Sequence, residues 1–137
     1  VDDNLPVQIE KLMKADALNM IALAKKAGLI IPGQAKAEAA LRSGESELLL
    51  MATDAGDDGV NKMGFAVRSL KLHEEVEVKV FKLFNSDELD QVTGGTNVMH
   101  LAVKYGGMSG KLAALLDKLV RYLGEYKDGV SKKTNEK

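Results

Sequence analysis

Apolar positions along the chain follow two alternating spacings, which predicts helices that alternate with strands. Helical spacing joins Ala17, Ile21 and Ala24 on one face of a first helix, which ends at Gly28. The continuous apolar run from Leu48 to Thr53 predicts a strand that is covered on both faces. The whole pattern predicts four strands, at 29–31, 48–53, 77–83 and 98–103. It predicts five helices, which end near residues 28, 44, 70, 94 and 123.

This order of elements predicts an α/β fold, a three-layer α/β/α sandwich with a four-stranded central sheet and about five helices. The loops that enter helices at strand ends, 31–36, 53–59 and 103–110, are the expected ligand-binding positions. The acids of 54–58 are expected to cap the third helix and to fill its first turn.

The predicted domain covers residues 16–125. Residues 1–15 are interpreted as a linker or as an extension of the first helix. Residues 126–137 carry four lysines against two acids and little to bury, so they are expected to form a disordered basic tail.

Composition narrows the function classes. The 137 residues include no cysteine, which excludes disulfides, zinc fingers and thiolate nucleophiles and favours a cytoplasmic location. Apolar runs stop after about five residues, far short of the roughly 20 that cross a bilayer, so no membrane span is expected. The net charge of -1 gives no general attraction to nucleic acid, so such binding would need a local basic patch.

Few residues point to catalysis. Neither His73 nor His100 has a nucleophile beside it in any known motif, so no enzyme activity, metal or cofactor is expected. The loop Tyr105–Gly110 includes Gly106 and Gly107, whose backbone N–H groups can approach a phosphate. It lacks the residue order of a nucleotide-binding loop, and a plain glycine-rich turn is the alternative.

A phosphate-contacting patch is the main binding hypothesis drawn from single residues. Lys26, Lys36 and Lys104 are expected to converge at one edge of the sheet, beside the start of the second helix. Tyr105 lies next to this patch and offers a ring for an unpaired base. The alternative is that these are ordinary surface lysines.

Four segments together resemble a known family: Ala22–Gly28, Pro32–Gly33, Ala40–Gly44 and Leu48–Ala55. They are similar to the first half of the kink-turn RNA-binding ribosomal protein family, the L-seven-Ae type with a pelota-like fold. The likeness covers about residues 16–123. It is nearest to the bacterial YlxQ-like branch or to the C-terminal domain of YlxR-type probable nucleic-acid-binding proteins, which are implicated in transcription termination.

The resemblance implies the same α/β/α sandwich, with RNA held by the start of the second helix and by the loops after the second and fourth strands. Gly33 falls on the family's motif glycine, and Lys26 falls on a family lysine. The family motif continues Gly-x-Asn-Glu-x-x-Lys, whereas Gly33 is followed here by Gln34, Ala35, Lys36 and then Ala37–Ala39. The motif's Asn, Glu and second Lys, which read base edges and backbone, are therefore absent.

The leading hypothesis is a non-enzymatic RNA-binding module of the bacterial transcription or translation machinery, with RNA and transcription or ribosomal proteins as partners. One alternative is a protein-interaction or regulatory module that has lost kink-turn recognition, favoured by the near-neutral charge and the apolar stretch 29–32. Another is a small-ligand protein that uses the glycine-rich loop. The predicted RNA contacts are Lys26, Gly33, Gln34, Lys36, Lys104, Tyr105, Gly106 and Gly107.

Overall fold

A computed structural model describes residues 5–127, and side chains from 8 to 124. Five helices and one four-stranded sheet confirm the predicted α/β class. The elements are α1 (Leu5–Lys26), β1 (Ile30–Pro32), α2 (Gln34–Ser43), β2 (Ser46–Ala52), α3 (Asp57–Glu74), β3 (Lys79–Phe84), α4 (Ser86–Thr93), β4 (His100–Lys104) and α5 (Gly107–Lys127).

The sheet is mixed, with strand order β1-β4-β2-β3. β4 is antiparallel to both of its neighbours, whereas β2 and β3 are parallel. β1, β2 and β3 therefore share one direction, and β4 runs the opposite way. We call the edge where β1, β2 and β3 end and β4 begins the upper edge, and the opposite one the lower edge.

Two apolar cores lie on the two faces of the sheet. Leu48, Leu50 and Ala52 pack under α1, α4 and α5, whereas Leu49 and Met51 pack under α2 and α3. Successive side chains of a strand point to opposite faces, so a strand between two helical layers is apolar at nearly every position. This arrangement explains the continuous apolar run of the sequence.

Several strand boundaries differ from those that the apolar pattern predicts. β2 starts at Ser46, two residues before the predicted strand, because its buried hydroxyl donates to the Val103 carbonyl over 2.6 Å. Pro32, expected to open the second helix, ends β1 instead, at an edge position that tolerates a residue without an N–H. β4 starts after Val98, since the N–H of Val98 donates to the Asp90 carboxylate over 2.8 Å.

The chain ends differ from the predicted segments in extent. Residues 5–15 form one continuous helix with 16–26. α5 continues to Lys127, so residues 126 and 127, assigned to the tail from sequence, are helical. Residues 128–137 of that tail, and residues 1–4, lie outside the described residues. No helix within 5–127 is long and apolar enough to cross a membrane.

Candidate nucleic-acid interface

At the upper edge, α2 leaves the sheet through a turn that only glycine adopts readily. Gly33 has φ 107° and ψ 141°, a region that L side chains strongly disfavour. Its N–H donates to the His100 carbonyl over 2.8 Å, and its carbonyl accepts from Ala37 N–H at the same distance. No side chain caps α2, so the first N–H groups of the helix remain open to an acceptor.

Two predicted contact residues lie in the first turn of α2. Gln34 is half-buried and Lys36 is exposed. Gln34 packs against the start of α3, where Gly59 allows the close approach: a Cβ at residue 59 would stand 3.0 Å from both Gln34 Oε1 and His100 Cε1. Lys36 takes part in no salt bridge with the described residues, so its ammonium group is available to a ligand.

His100 lies beneath these residues and is 2% exposed. Neither ring nitrogen has a hydrogen-bond partner among residues 5–127. Burial disfavours the charged ring and holds the pKa of His100 below its ordinary value of 6.5. The sequence signal for this buried polar group is a histidine inside an apolar strand run, flanked by Met99 and Leu101.

The upper edge carries more carboxylates than ammonium groups. The lysines near this edge include Lys14, Lys36 and Lys62. The ammonium of Lys62 lies 4.0 Å from the Asp58 carboxylate, and that of Lys14 lies 3.4 Å from the Glu88 carboxylate. Of the three, Lys36 is the one without an ion pair among the described residues. The expected compact positive patch is therefore absent from the described part of this edge. The acids near the upper edge are Asp54 in the loop after β2, Asp57 and Asp58 at the start of α3, and Asp87, Glu88 and Asp90 in α4.

Asp54 differs from its expected role as a cap of the third helix. Its carboxylate accepts from the Ser86 hydroxyl over 2.6 Å and from the Ser86 N–H over 2.8 Å, which joins the end of β2 to the start of α4. Both hydrogen bonds lower the pKa of Asp54, and the one from the Ser86 hydroxyl has the larger effect. The N-cap of α3 is Gly56, while Asp57 and Asp58 lie in its first turn as expected.

The connection from α4 to β4 explains why one predicted loop lies on the wrong edge. The Asp90 carboxylate accepts from the N–H groups of Asn97 (3.0 Å) and Val98 (2.8 Å), which folds the chain back along α4. β4 therefore starts at the upper edge and runs downward. The residues between α4 and β4, 94–99, join the upper edge, and the loop after β4 does not.

The expected convergence of Lys26, Lys36 and Lys104 is consequently wrong. Lys104 N–H donates to the Leu29 carbonyl, and Leu29 N–H donates to Ala24 in the last turns of α1. Lys26 and Lys104 thus lie at the lower edge, and β1 separates them from Lys36. Lys26 precedes β1 and Lys36 follows it, so the order of the elements alone places these two lysines at opposite ends of that strand. Lys104 is different, because the direction of β4 leaves no trace in apolar spacing.

Tyr105, Gly106 and Gly107 follow Lys104 and also lie at the lower edge. Tyr105 is 55% exposed, and its hydroxyl donates to the Glu47 carboxylate, which raises the pKa of the phenol to about 12. Gly106 and Ser109 close the turn: Ser109 Oγ donates to the Gly106 carbonyl over 2.8 Å and accepts from its N–H over 3.1 Å. The glycine-rich loop is therefore held by its own serine.

The apolar stretch 29–32, which favoured a protein-interaction module, is built into and beside β1. Ile30 is buried, and Leu29, Ile31 and Pro32 are half-buried. The stretch is therefore part of the sheet edge, with three of its four side chains partly accessible.

The described residues bring no group of three metal-ligating side chains together.

Solved structures with the same fold are known, although sequence comparison finds no relative. No protein-family model and no curated protein matches the chain. A solved protein of unknown function from Bacillus halodurans C is similar at 29% identity and TM-score 0.62, over 74% of this chain and 96% of that one. The Giardia lamblia 15.5kD RNA binding protein is similar at 17% identity and TM-score 0.58, over 80% of this chain and 89% of that one. The chain thus shares its fold with an RNA-binding protein.

Proposed function

We propose that this protein is a non-enzymatic RNA-binding module of the bacterial transcription or translation machinery. In this proposal it belongs to the YlxQ-like branch of kink-turn RNA-binding proteins and acts in connection with transcription termination, beside transcription or ribosomal proteins. The observation that carries the proposal is the open N-terminus of α2, turned outward at Gly33 on a fold that an RNA-binding protein shares.

The start of α2 suits a phosphate or a base edge. Its free N–H groups and the positive end of its dipole attract an anion, and the unpaired ammonium of Lys36 adds charge. Gln34 supplies an amide that donates and accepts in a single plane. These groups contact backbone and base together, as recognition of folded RNA requires.

The acids of the upper edge limit how the RNA lies. Carboxylates beside α3 and α4 repel phosphates, so we expect contacts to be confined to α2 and to the adjoining loop 94–99. Affinity should then be modest, with a log–log salt slope of about −2 to −3 for three or so phosphates. The missing Asn and Glu of the family motif predict little preference for a kink-turn over a simple duplex.

A binding series tests the proposal. The affinity of the full chain for a mixed pool of structured RNAs is measured from low to physiological salt. Lys36→Glu should weaken binding about tenfold, whereas Lys118→Glu, at another exposed helical lysine on α5, should weaken it less than about twofold. Absence of binding at low salt, or equal losses in both variants, would refute RNA binding at this edge.

A further inference from the structure

The lower edge contains a second feature, a pit of about 280 Å³ between the sheet and the start of α5. Leu48 and Val103 form its buried floor, and Ala113 of α5 forms one side. Tyr105 stands at the mouth with more than half of its surface exposed. The pit therefore combines an apolar base with a flat aromatic wall, as small-molecule sites commonly do.

The charge at the mouth is unbalanced. Glu47 lines the pit and accepts from the Tyr105 hydroxyl, but it takes part in no salt bridge among the described residues. Glu77 lies on the same rim, 3.5 Å from an exposed lysine, Lys71. An ionised carboxylate accepts several hydrogen bonds, so Glu47 retains acceptor capacity that Tyr105 does not use.

The cation on the rim is already neutralised. Lys79 lies 2.8 Å from Asp117 of α5, so its charge is not free to attract an anion. The start of α5 also favours anions, yet Ser109 occupies the turn by bonding both polar groups of Gly106. The remaining uncompensated charge in the pit is the carboxylate of Glu47.

We infer that this pit binds a small organic cation, an amine attached to a flat apolar body, with the ammonium group on Glu47 and the ring against Tyr105. The apolar floor removes the ring from water, and the face of Tyr105 offers stacking or a cation–π contact. The rim of the pit carries two ion pairs instead of apolar residues, Lys79 with Asp117 and Glu77 with Lys71. The apolar contact ends at the rim, which suits a small molecule and not a polypeptide. The inference is independent of RNA binding, because the pit lies at the opposite edge from α2.

Tryptamine, an indole ring with an ethylamine arm, is the probe for this test. It is titrated into the full chain while amide NMR signals are followed. Two control ligands with the same ring are titrated in the same way: tryptophol, which is neutral, and indole-3-propionate, which is an acid. We expect saturable shifts at Tyr105, Ser109 and Ala113, with a Kd of about 0.1 to 1 mM for tryptamine. Tryptophol and indole-3-propionate should bind at least about tenfold more weakly.

Three variants separate this site from general attraction to an acidic surface. Glu47→Gln keeps the size of the side chain and should weaken tryptamine binding about tenfold, whereas Glu45→Gln, on the neighbouring exposed residue, should change it less than about twofold. Ala113→Phe fills the pit and should abolish the shifts while the circular dichroism spectrum stays that of the parent.

The inference is overturned if the acid or the alcohol binds as tightly as the amine, or if Glu45→Gln loses as much affinity as Glu47→Gln. Lack of saturable tryptamine binding in the parent at about 10 mM overturns it too. RNA binding, measured on the same Glu47→Gln sample, should be unchanged, so failure at one edge is distinguishable from failure at the other.

Discussion

The two edges of the sheet differ in how their loops are held and in what they expose. The upper edge is fixed by carboxylates: Asp54 accepts from Ser86, and Asp90 accepts from Asn97 and Val98. It exposes the open start of α2. The lower edge relies on a serine within its own loop and exposes an aromatic ring over an apolar pit. Because β4 runs opposite to the other three strands, the loop that follows it lies at the lower edge and cannot contact the same ligand as the start of α2.

The largest expected effect comes from the glycine turn of the upper edge. Gly33→Ala places a Cβ on a residue with φ 107°, which should lower the free energy of unfolding by about 1 to 3 kcal/mol. Gly107→Ala, the matched change in the first turn of α5, meets no atom within 4 Å and no positive φ. It should alter stability by less than about 0.5 kcal/mol. Urea denaturation measures both, and comparable losses would contradict the special role of the Gly33 turn.

The buried histidine is the next test of the upper edge. His100→Leu removes two buried ring nitrogens without partners, so the variant should be at least as stable as the parent, by up to about 1 kcal/mol. Because the native pKa of His100 lies below 6.5, the parent should also lose stability as the pH falls below 6.5, where the unfolded chain takes up the proton first.

This pH-dependent loss should be smaller in His100→Leu than in the parent. Denaturation curves at about pH 7 and pH 5 measure it, with His73→Gln at the exposed end of α3 as the control. A marked destabilisation of His100→Leu at pH 7 would show that the imidazole makes a favourable interaction in the native state.

Asp54 tests the carboxylate that joins β2 to α4. The pKa of Asp54 is lowered by Ser86, so its contribution to stability is present above the ordinary value of 3.8 and is lost as the pH falls through the lowered value. Asp54→Asn should therefore be less stable than the parent at neutral pH, and the difference should shrink at about pH 3. Asp57→Asn, which removes the same charge without a bond to Ser86, serves as the control. A difference that does not depend on pH would contradict this role of the carboxylate.

The last test concerns the lower edge, at the hydroxyl of Tyr105. The phenol of Tyr105 should ionise at about 12 in the parent and nearer to 10.0 in Glu47→Gln, because the carboxylate accepts a hydrogen bond from the neutral phenol and repels the phenolate. Ultraviolet absorbance titration, with Tyr105→Phe subtracted to isolate this ring, measures the change. Ionisation near 10.0 in the parent would show that Glu47 does not hold the hydroxyl.

The sequence predicts the layers of this fold well because apolar spacing records which faces are buried. The apolar residues 48–52 and the stripes of α1 and α5 are buried as their spacing predicts, whereas Thr53, predicted to belong to the same strand, is exposed beyond the end of β2. Strand direction is different: it depends on the hydrogen bonds of Asp90 to the backbone of the 94–99 loop, which no periodicity reveals. For that reason the predicted position of Lys104 is wrong, whereas Gly33, Gln34 and Lys36 lie together simply because they are close neighbours in the sequence. The link between Asp54 and Ser86 spans two elements and was equally hidden.

The central claim, that RNA binds at the start of α2, is tested most directly by mapping the bound surface. The labelled full chain is titrated at low salt with the tightest RNA from the binding series, and amide chemical shifts are recorded. The account predicts that the largest shifts fall on Gly33, Gln34 and Lys36 and on the 94–99 loop. Shifts centred instead on Lys26 and residues 104–107 would contradict it and would assign RNA to the lower edge.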